Sequence, residues 1–309
     1  MSLIDNAPTT TGLDLGFRRF LHPGSLRWLR CLGWAVLLFF VFMLVDAAGS
    51  ILPERWLGGA GPLAALGTLA ICLAGFAAYA GLTRLAEARW PSELGLRQSV
   101  PELLIGLVVG AAMLSAVVGI LVATGLYDLS GPRHSSPLSM VSIGVVSGFM
   151  EELIFRAIVL RLLMRAFGAW WALALSAALF GALHLANPNA TPTAAIAIAI
   201  EAGLMLAAFY MLTGRIWMSV GVHAAWNFAQ GWIWGARVSG IEVKESLYLS
   251  GPKAGAPAWL SGGAFGPEAS VPAMVVGTGV AIVVLYWAWK KGNFKARDAV
   301  AAPVAEVFS

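Results

Sequence analysis

The hydrophobic positions of this chain form long, nearly uninterrupted runs rather than alternating or amphipathic stretches. A run of about 20 apolar residues can cross the hydrocarbon layer of a membrane as a helix. Gly and Ala recur within the runs, as is typical of helices that pack closely in lipid. The pattern predicts eight membrane-spanning helices: Cys31–Val45, Pro62–Thr83, Leu103–Gly125, Leu138–Leu163, Trp170–Ala186, Thr193–Leu212, Ile216–Gly235 and Ala273–Trp289.

The composition supports a membrane protein. Of 309 residues, 59% are hydrophobic and 12% are charged, whereas soluble domains carry about 25% charged residues. We therefore predict an all-α fold, a polytopic bundle of about eight transmembrane helices. The expected organisation is a cytoplasmic segment over 1–30, one transmembrane domain over 31–290 and a cytoplasmic tail over 291–309.

The distribution of positive charge predicts the orientation. Most of the 20 Lys and Arg residues lie in alternate segments between the runs, and such segments usually face the cytoplasm. We therefore expect an integral protein of a prokaryotic cell (inner) membrane with both termini in the cytoplasm. The net charge of +4 follows this topology pattern, so nucleic acid is not an expected partner. Cys31 and Cys72 lie in apolar runs and suggest core packing, not a disulfide framework.

Two segments that connect predicted spans have compositions that predict structure. Arg84–Pro101 mixes charges with apolar residues, which is consistent with an amphipathic surface helix broken at Pro91. Ala236–Val271, the longest segment predicted outside, is rich in Gly, Pro and Ser. It is expected to be either an ordered cap or a flexible loop. The first run ends near Asp46, and no Asp lies deep within a predicted span.

Few polar side chains fall inside the predicted spans, and they are candidates for function. An ionisable group at mid-membrane costs about 2.5–3.5 kcal/mol even on a lenient insertion scale. Such groups therefore point to a functional site. They are Glu151, Glu152, Arg156, His184, Glu201, His223 and Asn227.

Helical spacing sorts these side chains into faces. Glu152 and Arg156 are four residues apart, so they can form an ion pair. His223 and Asn227 share one face for the same reason. Glu151 lies about 100° around the helix from Glu152 and can point elsewhere.

If the fourth, fifth and seventh spans meet, Glu151, His184, His223 and Asn227 converge at one polar pocket. A carboxylate and two imidazoles can hold a metal and leave a position for water. Alternatively, a carboxylate and a histidine can deprotonate water without metal. Either route produces a nucleophilic hydroxide, and Asn227 could donate to the developing oxyanion.

Each of these residues also has a plain structural interpretation. A structural ion pair explains Glu152 and Arg156 somewhat better than catalysis does. A single intramembrane histidine is usually a packing residue, but two histidines and a glutamate pair on separate spans make that explanation poor. Glu201 has no obvious partner in the sequence, and a hydrogen bond between packed helices is the favoured explanation.

Three motifs on separate spans carry a family resemblance. They are Glu151-Glu152-Leu-Ile-Phe-Arg156, Phe180-Gly-Ala-Leu-His184 and His223-Ala-Ala-Trp-Asn227. In this order the set resembles the CPBP family of CAAX-protease and bacteriocin-processing membrane proteins, including type II CAAX prenyl endopeptidases. Each motif alone is weak, whereas the ordered triple is specific.

The resemblance implies an intramembrane endopeptidase with its catalytic core at about 138–235. It implies that Glu151 and His184 activate the water and that His223 and Asn227 complete the site, while Glu152 and Arg156 occupy the remaining signature positions. A divalent metal such as zinc, held by Glu151, His184 and His223, is one version of the mechanism, and a metal-free version stays open. The expected partners are the lipid bilayer and a membrane-associated peptide or protein substrate. The resemblance does not imply that this protein acts on prenylated substrates, and it leaves the oligomeric state open.

Other classes of protein compete with the peptidase. A non-catalytic membrane scaffold or bacteriocin-immunity protein would not need the complete signature. A proton-coupled transporter should show inverted repeats, and none is found. Gly144-Val-Val-Ser-Gly148 lacks the usual spacing of a serine intramembrane protease. The lack of a deep Asp argues against an aspartyl-type enzyme.

Overall fold

Long helices make up most of the chain, and the computed structural model describes residues 12–57 and 61–297. The outer parts of the predicted terminal segments, 1–11 and 298–309, lie outside the described residues. The main helices are α1 (Arg27–Trp56), α2 (Pro62–Glu87), α3 (Ser99–Ala123), α4 (Leu138–Val146, continued by π-helical Ser147–Glu151 and Leu153–Leu160 and by Arg161–Phe167), α5 (Ala169–Leu183), α6 (Pro192–Ile198, π-helical Ala199–Gly203, Leu204–Thr213), α7 (Trp217–Phe228, continued by π-helical Ala229–Ile233), α8 (Ala258–Ser261) and α9 (Val271–Lys290).

Short elements connect these helices. Strands β1 (Tyr127–Ser130) and β2 (Leu249–Pro252) pair antiparallel, with Tyr127 opposite Pro252. The single turns of 3₁₀-helix are Arg19–Leu21, Ser92–Leu94, Leu96–Gln98, His184–Ala186 and Pro267–Ala269.

Several helices have the length and composition of membrane spans. Among the described residues there are 6 such spans: Arg27–Trp56, Pro62–Glu87, Ser92–Ala123, Ala169–Ala186, Pro192–Thr213 and Val271–Lys290. Large apolar side chains such as Phe40, Leu44, Val108 and Val275 project outward from them, as lipid-facing residues do. The polytopic helical bundle is thereby confirmed. The count of eight stays a prediction, because α4 and α7 are helical where spans were expected but are not among the six.

Helix α4 lies at the centre of the bundle, where it can carry charge. Every residue from Glu152 to Ala166 is buried, and α1, α2, α5 and α7 all pack on α4 or on its π-helical segments. A helix enclosed by other helices has no lipid-facing side, so its polar groups can find protein partners.

Glycines let α7 approach α3 and α4 closely. A Cβ atom on Gly110 of α3 would lie 2.2 Å from the carbonyl oxygen of Val222, and one on Gly148 of α4 would lie 2.8 Å from Cβ of Ala224. Both glycines belong to Gly-x-x-x-Gly pairs, with Gly106 and Gly144, a pattern typical of close helix contacts in membranes. This packing brings the polar residues of α4 and α7 to one interface.

Two expectations for the first part of the chain are wrong. Helix α1 continues well beyond Val45, so Asp46 lies inside a membrane-spanning helix. The segment 84–101 forms the end of α2, two 3₁₀ turns and the start of α3, not a surface helix. Its two acids, Glu87 and Glu93, are buried because they have partners: Arg161 of α4 binds Glu87 at 2.8 Å and lies 3.4 Å from Glu93.

The two ends of the bundle differ. The described ends of the chain meet at one of them, where the amide of Leu13 donates to the carbonyl of Lys295 at 3.0 Å; we call this the termini end. The opposite end carries the β1–β2 ribbon, α8 and the 3₁₀ turn Pro267–Ala269, and we call it the ribbon end. The segment Ala236–Val271 lies here with defined elements, which agrees with the ordered cap rather than the flexible loop.

Candidate active site

The two adjacent glutamates lie where the π-helical stretches of α4 meet: Glu151 ends the first stretch, and Glu152 lies between the two. π-Helical turns are rare and occur frequently at functional sites. Glu152 is fully buried, and its Oε2 atom lies 2.9 Å from Nε of Arg156, which is fully buried as well. The guanidinium centre of Arg156 lies 5.1 Å from the centre of the Phe180 ring. The predicted ion pair is present, and it lies in the protein interior.

His223 of α7 connects the two glutamates. Its Nδ1 atom lies 2.9 Å from Oε1 of Glu152. Because an ionised carboxylate only accepts hydrogen bonds, Nδ1 is the donor and carries the proton. Nε2 then faces Glu151, whose Oε2 atom is 4.0 Å away. Arg156, Glu152, His223 and Glu151 therefore form one continuous polar chain across the contact of α4 and α7.

His184 follows the last residue of α5 and has a defined tautomer. Its Nδ1 atom lies 2.8 Å from the carbonyl oxygen of Phe180. A carbonyl cannot donate, so Nδ1 carries a proton, and Nε2 is the ring nitrogen left free. The Phe180 ring lies 4.8 Å from the His184 ring and 6.1 Å from the His223 ring, centre to centre. The two histidines thus both pack against one aromatic ring.

Asn227, one turn beyond His223, is held by α4. Its Nδ2 atom donates to Oγ of Ser147 at 3.0 Å. A side-chain amide has two N–H groups, so one remains available for another acceptor. The sequence indicated no role for Ser147 beside Asn227, because a serine in an apolar helix carries no signal of its own; its motif was weighed only for the spacing of a serine protease.

Glu151, His184 and Asn227 line a single cleft. It has a volume of about 290 Å³ and is bounded by α1, α2, α4 and the segment 238–241 of the ribbon end. A smaller cavity of about 20 Å³ lies on its inner side and is lined by His184, His223, Asn227 and other residues. The small cavity has room for about one water molecule with polar partners.

Two further acids border the small cavity, Glu201 of α6 and Glu268 of the ribbon end. Glu201 is buried, and its Oε2 atom has no hydrogen-bond partner among the described residues, so the expected hydrogen bond between helices is not found there. Glu268 accepts from the Gln230 amide and from the backbone N–H of Ser239. Burial raises the pKa of Glu268 to about 7. Glu268 therefore ties the ribbon end to α7 beside the cleft.

The donor types suit a metal ion, but their spacing does not. His184 and His223 both have Nδ1 engaged in a hydrogen bond, which leaves Nε2 as the free ring nitrogen, the arrangement that orients histidine ligands. Across the described ranges, however, no three His, Cys, Asp or Glu side chains lie close enough together to hold a metal. Glu151, His184 and His223 share the site without forming a closed ligand set.

The comparison with family models identifies the central part of the chain. Residues 133–229 match the family model described as type II CAAX prenyl endopeptidase Rce1-like. This match confirms the family resemblance and contains all three motifs. The segment 133–229 is therefore similar to this family of endopeptidases, and it lies within a polytopic helical membrane protein. The chain has no significant match among curated proteins or solved structures.

Proposed function

We propose that this protein is an intramembrane endopeptidase that cleaves membrane-associated peptides or proteins with water activated by Glu151 and His184. The observation that carries the proposal is the shared cleft of Glu151, His184 and Asn227. A carboxylate, an unprotonated imidazole nitrogen and an amide N–H are the base, second acceptor and oxyanion donor that amide hydrolysis requires.

The proposed reaction begins with a water between Glu151 and His184. The Glu151 carboxylate takes a proton from this water while Nε2 of His184 accepts its second hydrogen bond. The water oxygen bonds to the peptide carbonyl carbon, and the free N–H of Asn227 donates to the resulting oxyanion. The C–N bond then breaks, and the proton held by Glu151 passes to the leaving amine.

The remaining signature residues position Glu151 in this scheme. Arg156 neutralises Glu152, and Glu152 keeps the proton of His223 on Nδ1. Nε2 of His223 faces the Glu151 carboxyl group, so the two groups can form a hydrogen bond when one proton lies between them. Such supporting contacts fix the orientation of reacting groups.

Peptide cleavage by the purified protein tests the proposed function. We expect the wild-type chain, reconstituted in lipid vesicles, to cleave some members of a library of membrane-associated peptides, as detected by mass spectrometry. The library should be assayed with and without a chelator, and metal content should be measured on the same sample. A metal-free mechanism predicts unchanged rates with chelator, whereas loss of activity restored by zinc would support the metal version. No cleavage of any member would contradict the peptidase.

We also propose that both termini face the cytoplasm, so that the ribbon end and the open cleft face outward. The described ends lie together, and the positive charges of the connecting segments favour this orientation. A reporter fused after Lys291 is expected to give a cytoplasmic signal, and one inserted within 244–253 an external signal. An external signal from the first fusion would contradict the orientation.

A further inference from the structure

One face of α1 is polar where the helix borders the cleft. Asp46, Ser50 and Glu54 follow one another at intervals of four residues, so they lie on the same side of the helix. All three line the cleft together with Glu151. Asp46 and Glu54 are about 12 Å apart along the axis, at 1.5 Å per residue. These three residues form a polar stripe that leads from beside Glu151 to the ribbon end.

The charge of this stripe is not balanced within the cleft. The lining residues include Asp46, Glu54 and Glu151 but no Lys or Arg. The Oδ1 atom of Asp46 is buried and makes no hydrogen bond within the described part of the chain. The hydroxyl of Ser50 donates to the backbone carbonyl of Asp46, at 3.0 Å, and not to its carboxylate.

A carboxylate inside a membrane span is expensive unless it has a partner or lines a pathway. The other buried acids of α2 and α4 have such partners: Glu87 binds Arg161, and Glu152 binds Arg156. Asp46 differs from them because its side chain faces an open cleft. A cationic group entering that cleft would supply the missing partner.

We propose that Asp46 determines specificity by binding a basic side chain of the substrate. This inference rests on the proposed function and names its substrate class: membrane-associated peptides with Lys or Arg close to the scissile bond. The long aliphatic stem of such a side chain can pack against the apolar residues of the cleft, such as Ile143, Val146 and Ile241. Glu54, exposed at the ribbon end, attracts the same charge from farther away and more weakly, because water and salt screen it.

A matched peptide series tests this substrate class. Each peptide places lysine, norleucine or glutamate at one position near the scissile bond of an otherwise apolar sequence, and kcat/KM is measured with wild-type protein in vesicles. We expect the lysine peptide to be preferred over norleucine by at least about 10-fold at one position, the lower end of measured couplings between close charge pairs. The glutamate peptide should be the poorest substrate.

Variants of Asp46 test whether this residue causes the preference for the lysine peptide. Asp46→Asn should lower the lysine-to-norleucine ratio about 10-fold, and Asp46→Glu should retain most of it. Glu245→Gln, which removes an exposed acid outside the cleft, should leave the ratio unchanged. Thermal stability of each variant shows whether the protein is folded.

The outcomes separate this inference from the proposed function. Equal cleavage of the lysine and norleucine peptides would overturn the inference and leave the peptidase standing. An Asp46→Asn variant that kept the full lysine preference would also overturn it. Failure of wild-type protein to cleave any peptide, in this series or in the broader library, would overturn the peptidase itself.

Discussion

Glu151→Gln is expected to lower peptide cleavage at least about 100-fold, because general bases contribute roughly 10²–10⁴ to such reactions. Glutamine keeps the shape of the side chain and one acceptor oxygen but cannot take the proton from water. The fold should be nearly unaffected. Among the described residues, the only ion-pair contact of Glu151 is with His223, at 4.0 Å, and neutralising an intramembrane carboxylate removes a desolvation cost.

The measurement is the cleavage rate and the melting temperature of the variant and the wild type in the same detergent. Glu245→Gln serves as the control, since it also exchanges one glutamate for glutamine. A Glu151→Gln variant that cleaves like the wild type would refute the role of Glu151 in activating water. If the biological function also survived in this variant, a non-catalytic scaffold would become the better explanation.

Glu152→Gln is expected to act mainly on stability. Leaving a buried charge without its partner typically costs about 3–5 kcal/mol, and Arg156 has no hydrogen bond to any described residue apart from its ion pair with Glu152. Glutamine would also weaken the hydrogen bond that sets the tautomer of His223. Activity should therefore fall together with the melting temperature, unlike in Glu151→Gln.

A double variant distinguishes two effects: the loss of the whole Glu152–Arg156 ion pair, and the loss of one partner that leaves the other charge unpaired. Replacing a buried ion pair by apolar residues of similar volume is often neutral, so Glu152→Gln combined with Arg156→Met should be more stable than Glu152→Gln alone. Melting temperatures and expression levels in one detergent provide the test. Equal destabilisation of the single and double variants would show that Arg156 is not stranded by the loss of Glu152.

The adjacent glutamates show how much of the site local spacing predicts. Intervals of four residues correctly pair Glu152 with Arg156, because neighbouring turns of any helix bring such residues together. The contact between Glu152 and His223 joins residues 71 positions apart. It depends on the glycines that let α4 and α7 approach each other, and the spacing of residues within one helix contains no such information.

The acids outside the motifs show where sequence reasoning fails. Glu87 and Glu93 suggested a water-exposed amphipathic helix, yet both are buried because Arg89 and Arg161 reach them. Asp46 was taken as the end of a span, because a charge usually interrupts an apolar run. In the structure α1 continues past it, since the polar side faces a cleft instead of lipid.

The amino-acid sequence by itself determined the helical membrane bundle and the three motifs within the segment that matches the Rce1-like model. In lipid, the long apolar runs can satisfy their backbone hydrogen bonds only by forming helices. The three motifs, in their order, are specific to the family. Only the tertiary structure decided which polar groups of different helices meet. It placed Glu151, His184 and Asn227 around one cleft, joined Glu152 to His223 and opened Asp46 to the same cleft, because these contacts arise from the packing of helices far apart in the chain.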